Sequence, residues 1–234
     1  MHSSALLSFL FFNSVSENKP LYIEIEGIRY MFTSVDFEYE NECLKGKDRI
    51  GNEYRPSSID VKLVGKNAEG KDAVLFLESK LSEYLHNGKQ TGISLEYYNQ
   101  YGEIFKKGKL IDELTIKEED GTLTLTTKDG RCSHYCQGIK QMMCHFIGAL
   151  NYKKIHQDEE VLLGTILLDL SSIDESSYNI YCKDYQQLTE KLTRLEKGVK
   201  MIGEPLTYQK LYEEVKLKGF KLSDQVVEYY GLNK

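Results

Sequence analysis

The stretch SSIDVKLVGKNAEGKDAVLFLESK, residues 57–80, contains two short apolar runs separated by a polar turn that includes a glycine. Apolar runs of strand length on the two sides of such a turn are typical of a β-hairpin. The pattern predicts strands at about residues 59–64 and 73–79. This hairpin decides how the rest of the sequence is interpreted, because charged residues stand near the ends of both strands.

The hairpin symmetry predicts which charged residues meet. If the turn is centred on Glu69, Asp60 and Glu78 are equidistant from the centre and face each other across an antiparallel pair. Side chains alternate along a strand, so Glu78 and Lys80 project to the same side. Opposed carboxylates repel by on the order of several tenths of a kcal/mol or more. A divalent cation and a lysine would compensate this repulsion, and hard carboxylate oxygens suit Mg²⁺. The alternative is that Asp60, Glu78 and Lys80 are ordinary surface charges at a sheet edge.

The other segments alternate between helical and strand patterns. Apolar residues recur with helical spacing in some segments and with strand spacing in others. The predicted elements are a helix at residues 3–16, β structure at 21–40, strands at 114–119 and 122–127 around the turn Asp120-Gly121, a helix at 134–150 and a buried strand at 161–170. The sequence therefore predicts a mixed α/β fold, with a mostly helical region from Cys182 onward in which Gly203 and Pro205 separate two helical segments.

Composition limits the classes of function. The chain has 234 residues, 41% hydrophobic and 28% charged, so it can bury a core. Its formal net charge of -6 disfavours a protein that coats DNA non-specifically, although a local groove with a divalent cation can still meet phosphate. The five cysteines are an odd number in a long chain, which predicts reduced thiols and a cytoplasmic location. No segment is apolar enough to predict a membrane span.

Cysteines and histidines cluster between residues 132 and 145. Zinc or an iron-sulfur cluster is one interpretation of this run, but it lacks the closely paired spacing of strong zinc motifs. Buried thiols on a helix face are the other interpretation, and the one we favour. The residues concerned are Cys132, His134, Cys136, Cys144 and His145.

The hairpin residues resemble the PD-(D/E)XK nuclease superfamily, which has the restriction-endonuclease-like fold. Asp60 on one strand and Glu78-Ser79-Lys80 at the end of an apolar strand carry this resemblance. The segment RPSSIDVKL resembles the first half of the motif, although the proline, Pro56, stands four residues before Asp60.

The helix predicted at residues 134–150 carries the second half of the resemblance. Some branches of the superfamily have a Q-x-x-x-Y motif on the helix after the E-x-K strand, and Gln141 and His145 give Q-x-x-x-H here. The spacing puts both on one helical face. The resemblance covers about residues 32–170 and is greatest to restriction endonucleases of bacterial or mobile-element origin. It implies a central mixed β-sheet flanked by helices, in the order α, β, β, β, α, β.

The resemblance implies a set of roles for a DNA-cutting site. Asp60 and Glu78 would hold Mg²⁺, or Mn²⁺ in its place, together with the main-chain carbonyl of Ser79. Lys80 would assist the attacking water, and Gln141 would position the water network or a DNA phosphate. The reaction would be the hydrolysis of a phosphodiester bond. A catalytically silent module that binds nucleic acid or protein on the same fold is the alternative.

The superfamily often adds an acidic residue from the region before the hairpin. We take Glu40 as this third carboxylate and keep Glu38 as the alternative, because spacing does not separate them. We expect a nuclease-like domain at residues 1–182 and a helical C-terminal extension at 183–234. The expected partner is DNA, with no membrane, and the sequence leaves open a homodimer and a protein partner bound by the C-terminal helices.

Overall fold

The structure, a computed structural model, describes residues 4–48, 50–85, 92–107, 114–119, 122–127, 134–195 and 198–233. Its strands are β1 (Leu21–Ile25), β2 (Ile28–Asn41), β3 (Ser57–Asn67), β4 (Asp72–Lys80), β5 (Gly92–Ser94), β6 (Leu114–Glu119), β7 (Thr122–Thr127), β8 (Glu160–Leu167), β9 (Lys200–Met201) and β10 (Leu206–Thr207). Its helices are α1 (Ser4–Phe12), α2 (Leu95–Lys107), α3 (His134–Ile155), α4 (Glu175–Leu195), α5 (Tyr208–Lys216) and α6 (Asp224–Tyr230), with a 3₁₀ turn at Glu83–Leu85.

A mixed β-sheet forms the centre of the fold. Strands β1, β2, β3 and β4 follow one another in antiparallel pairs. β8 runs parallel to β4, and both β9 and β10 run parallel to β8. A smaller antiparallel sheet has the order β5-β7-β6. The predicted mixed α/β fold, with a central sheet flanked by helices, is confirmed.

The β3–β4 hairpin is closed by a turn that fixes its register. The side-chain Oδ1 of Asn67 accepts hydrogen bonds from the main-chain N–H groups of Glu69 and Lys71, both at 3.0 Å. Gly70 takes a φ of +81°, a conformation that glycine adopts without strain. Val64 then pairs with Val74, so the ladder is symmetric about residue 69. The predicted register is confirmed, and both strands are longer than predicted.

Strand β4 is buried on both faces. Ala73, Leu75 and Leu77 belong to a core cluster built with α1, α5 and α6. Val74 and Phe76 belong to a second cluster built with α3 and α4. The near-continuous apolar run of β4 follows from this two-sided burial, as in other strands covered on both faces.

The C-terminal region differs from the predicted helical extension. The expected boundary at residue 182 falls inside α4, and β9 and β10 beyond it pair with β8 in the central sheet. Strands of two residues carry no periodicity that a sequence pattern can reveal. Gly203 and Pro205, which the sequence marks as a break between two helices, lie between these two short strands.

The remaining predicted elements agree with the structure, with shifted ends. The first helix stops at Phe12, where the polar sequence NSVSENKP begins, and α3 continues to Ile155. The strands predicted at residues 114–119 and 122–127 are present, while the turn Asp120-Gly121 lies outside the described residues. Within the described residues, no helix has both the length and the apolar character that a bilayer crossing requires.

A hydrogen-bond network ties the C-terminal part of the chain to the end of β4. The hydroxyl groups of Ser79 and Tyr208 are 2.8 Å apart, and that of Tyr208 is 3.1 Å from the hydroxyl of Ser8. Ser8 in turn donates to the main-chain oxygen of Ser4. All three hydroxyl-bearing side chains are buried. The network therefore fixes Ser79, which stands between Glu78 and Lys80, from the face of β4 that α1 and α5 cover.

We expect Tyr208→Phe to lower the free energy of unfolding by about 1–3 kcal/mol, because the buried hydroxyls of Ser79 and Ser8 lose a shared partner. Urea unfolding of the variant and the wild type measures this. Tyr22→Phe is the matched control, since it keeps the aromatic ring that lies against Arg29. An equal loss of stability in both variants would show that the network contributes nothing.

Candidate active site

The candidate site lies where the carboxyl end of β4 meets the ladder with β3. The β3–β4 ladder ends at Val61 paired with Leu77, and Asp60 and Glu78 are the next residues beyond that pair on the two strands. The main-chain N–H of Ser79 donates a 2.7 Å hydrogen bond to Oδ2 of Asp60, which fixes this carboxylate at the strand end. The structure thus brings the two predicted carboxylates together on adjacent strands.

Glu78 is a buried carboxylate with a partner on each oxygen. Its side chain is 7% exposed; Oε1 lies 2.7 Å from Nζ of Lys80, and Oε2 lies 2.9 Å from Nε2 of His145. Burial alone would raise the pKa of Glu78, but the hydrogen bond and charge of His145, together with Lys80, outweigh it and lower the pKa to about 2. Glu78 is therefore ionised at neutral pH.

Lys80 is held between a strand and a helix. Its Nζ donates to Oε1 of Glu78 and, at 2.6 Å, to Oε1 of Gln141 on α3. The lysine side chain is 13% exposed, whereas Gln141 is exposed. Because the amide oxygen of Gln141 faces the ammonium group, its NH₂ group is directed away from Lys80. The structure therefore brings together the two halves of the sequence motif.

Asp60 has an unusual protonation equilibrium. Burial, followed by the nearby charge of Glu78, raises the pKa of Asp60 to about 7, although the Ser79 N–H and Lys80 act in the opposite direction. Glu38 also raises this pKa. The ionised form of Asp60 is therefore unfavourable in this site, first because the carboxylate is buried and second because Glu78 is nearby.

The structure distinguishes Glu38 from Glu40 as candidates for the third carboxylate. Glu40 is an exposed residue that pairs with Ser58, and it lines a cavity of about 550 Å³ together with the loop that follows β2. Glu38 falls between the residues that pair with Val61 and Ile59, and its charge acts on Asp60. Glu38 is therefore better placed than Glu40 to supply a third carboxylate. It also has a φ of +49°, an uncommon conformation for glutamate, and its carboxylate accepts a hydrogen bond from Ser58.

The two carboxylates fit a Mg²⁺ site of the kind that uses few protein ligands. Among the described residues, no three histidine, cysteine, aspartate or glutamate side chains form a metal-binding group. Mg²⁺ usually binds one or two carboxylates and completes its shell with waters and substrate phosphate. Asp60 and Glu78 provide two carboxylates on adjacent strands, which is the number that such a site requires. The side chain of Ser79 points to Tyr208, so Ser79 has only main-chain atoms to offer to this site.

The predicted cysteine cluster is described only in part. Cys132 and the side chains of His134 and Cys136 lie outside the described residues. Cys144 is buried, and its main-chain oxygen accepts a hydrogen bond from the thiol of Cys43. The interpretation of these thiols stays a prediction.

Sequence reasoning missed the link between α3 and Glu78. It placed Gln141 and His145 on one helical face but gave His145 no partner. Ser57, which lies 3.2 Å from Nδ1 of His145, was not singled out at all. The i, i+4 spacing was the available signal, because a helix that aims Gln141 at Lys80 also aims the residue one turn later at the same strand.

The raised pKa of Asp60 predicts how stability changes with pH when no divalent cation is present. Between about pH 4 and about pH 7 the folded chain keeps a proton on Asp60 that the unfolded chain has released, so the free energy of unfolding falls as pH rises. Glu78 acts in the opposite direction at the acid end, since its lowered pKa adds stability that is lost as pH falls from about 4.5 toward about 2. The fall in stability with rising pH is therefore clearest between about pH 5 and about pH 7. We expect Asp60→Asn to flatten the slope in urea unfolding with EDTA present.

Asp72→Asn is the control for this measurement. Asp72 is exposed at the other end of β4 and pairs with Lys66 on the surface. Its replacement should leave the slope between pH 4 and 7 as in the wild type. A wild-type slope that Asp60→Asn leaves unchanged would contradict the assigned titration of Asp60.

Comparison with known proteins finds no matching family model, no matching curated protein and no matching solved structure. The case for a function therefore rests on the geometry and chemistry of the site itself.

Proposed function

We propose that the chain is a metal-dependent nuclease of the PD-(D/E)XK type that hydrolyses phosphodiester bonds in DNA. The observation that carries the proposal is the position of Lys80. Its ammonium group lies 2.7 Å from Glu78 and 2.6 Å from Gln141, on the strand adjacent to Asp60. Two carboxylates, a lysine and an amide therefore converge from two strands and one helix.

Asp60, Glu78 and the main-chain carbonyl of Ser79 are the groups that would hold Mg²⁺ or Mn²⁺, with Glu38, whose charge acts on Asp60, as a further carboxylate. Bound there, the cation supplies charge stabilisation at the phosphate and lowers the pKa of a coordinated water. The chain contributes the fixed orientation of the two carboxylates, because the Ser79 N–H holds Asp60, and Lys80 and His145 hold Glu78.

Lys80 and Gln141 have complementary roles in this proposal. Lys80 places a positive charge where negative charge develops on the phosphate as water attacks, and it can donate a hydrogen bond to that water. Gln141 keeps the ammonium group in place through its amide oxygen and offers its NH₂ group to a phosphate oxygen. Hydrolysis then breaks one phosphorus–oxygen bond of the DNA backbone.

The order of elements also supports the proposal. The order α, β, β, β, α, β that the resemblance implies can be traced through α1, β2, β3, β4, α3 and β8. The predicted motif residues fall on β3, β4 and α3 within this order. A fold resemblance does not establish an activity, so the argument depends on the site rather than on the order.

A catalytically silent binding module is the second candidate. The observation that favours it is that Glu78 already has a partner on each oxygen, which a purely structural ion pair would also show. Such a module needs no cation and should bind DNA or a protein equally well in EDTA. A cytoplasmic location, a homodimer and a protein partner at the C-terminal helices are also proposals, independent of this choice.

We expect the wild type to cut plasmid or single-stranded DNA with Mg²⁺ or Mn²⁺ and not with EDTA. Lys80→Ala should lower the cleavage rate by about 10²–10³-fold, because it removes a charge aimed at the reacting phosphate. Asp60→Asn should also lose cleavage, because it removes a metal ligand. Rates are measured on both substrates, with thermal unfolding as a check that each variant is folded.

Lys62→Ala is the matched control for Lys80→Ala. Lys62 is equally buried, with 12% of its side chain exposed, but its ammonium group lies over the ring of Tyr39 and pairs with Asp36. It should keep wild-type cleavage. Cleavage that survives in folded Lys80→Ala and Asp60→Asn would place the active site elsewhere. DNA binding without cutting under either metal would favour the silent module.

A further inference from the structure

His145 contacts the proposed metal ligand Glu78 but has no role of its own in the proposed reaction. The residue is 2% exposed and stands on α3 one turn after Gln141. Its Nε2 lies 2.9 Å from Oε2 of Glu78, and its Nδ1 lies 3.2 Å from the hydroxyl of Ser57. Both ring nitrogens therefore have a partner, which is the arrangement that fixes an imidazole ring in place.

The hydrogen-bond partners of His145 determine which ring nitrogen carries a proton. An ionised carboxylate only accepts hydrogen bonds, so the Nε2 of His145 must carry a proton and donate to Glu78. The hydroxyl of Ser57 either donates to Nδ1 or accepts from it. The contact with Glu78 is therefore the same in the neutral and the charged ring, and its geometry does not depend on titration.

Helix α3 contacts the site through two residues, and each of them contacts a different residue of β4. Gln141 reaches Lys80, and one helical turn later His145 reaches Glu78. Glutamate has three rotatable side-chain bonds, and Lys80 alone, itself a long flexible chain, restrains only one oxygen. The rigid ring of His145 restrains the other oxygen from a helix that is packed against the sheet.

We propose that His145 is a positioning residue that sets the orientation of Glu78 for a divalent cation, with Ser57 setting the orientation of the imidazole ring. The inference rests on the proposed function, because it assigns Glu78 as a metal ligand. Residues that orient a metal ligand through a hydrogen bond commonly change metal affinity or activity by about 10–100-fold when they are replaced.

Two amide substitutions separate the contacts of His145. In His145→Gln the amide nitrogen stands the same number of bonds from the main chain as Nε2, so it can still donate to Glu78. In His145→Asn the amide reaches only as far as Nδ1, so it can meet Ser57 but not Glu78. We expect Mn²⁺ affinity of the DNA-free protein, measured by electron paramagnetic resonance, to fall about 10–100-fold in His145→Asn. His145→Gln should recover most of that loss.

His156→Asn is the control substitution. His156 follows the same helix and pairs with Glu159 at 3.0 Å, but its side chain is 39% exposed and it lies among residues outside the site. It should leave Mn²⁺ affinity and DNA cleavage unchanged. Thermal unfolding of each variant identifies any loss that is only a loss of folding.

A spectroscopic measurement on the wild type needs no substitution. The ¹⁵N chemical shifts of the imidazole nitrogens should show a protonated Nε2 in His145. A non-protonated Nε2 would overturn the inference, since Glu78 would then have no donor from the ring.

The results separate this inference from the proposed function. If the wild type binds Mn²⁺ and cuts DNA, but His145→Asn binds Mn²⁺ as tightly as the wild type, the positioning role is overturned and the nuclease stands. If the wild type neither binds Mn²⁺ nor cuts DNA, both are overturned. An affinity lost in His145→Asn and restored in His145→Gln supports the positioning role.

Discussion

The burial of one ionised carboxylate organises the region around the end of β4. Glu78 is 5% exposed, and a charge removed from water to this extent is stable only with paired and hydrogen-bonded partners. Lys80, on the same strand, and His145, on α3, supply them. The demand for these two partners joins the helix to the sheet at this point, and Gln141 is brought to Lys80 by the same helix.

Contacts on both faces of strand β4 fix the position of this carboxylate. On one face, Glu78 and Lys80 meet α3, while the side chain of Ser79 between them enters the hydroxyl network of Tyr208. The main-chain N–H of Ser79 also holds Asp60. The position of the site therefore depends on α1 and α5, which lie on the opposite side of the sheet from the charged groups. The C-terminal region thus supplies Tyr208 of α5 to this network, in addition to the strands β9 and β10 that pair with β8.

The sequence predicted what local chemistry determines. The turn from Asn67 to Lys71 fixes the β3–β4 register through contacts within five residues, so symmetry about residue 69 could predict that Asp60 and Glu78 lie close together. The contact of His145 with Glu78 joins residues 67 positions apart and could not be read from either segment alone. Spacing could not separate Glu38 from Glu40, because their positions depend on an irregular stretch of β2, where Glu38 has a positive φ. The cation and the reaction remain predictions.

The pKa is raised for Asp60 and lowered for Glu78, and this difference bears on whether the site has a catalytic or a structural role. A structural ion pair is already complete with Glu78, Lys80 and His145, and the low pKa of Glu78 reflects that. Asp60 adds a second carboxylate whose pKa is raised to about 7, so its ionised form is unfavourable in the chain alone. A structural role gives no reason to keep this cost, because asparagine would accept the same Ser79 N–H without a charge. A divalent cation bound by Asp60 would offset this cost by stabilising the ionised carboxylate, which is why we propose the nuclease rather than the silent module.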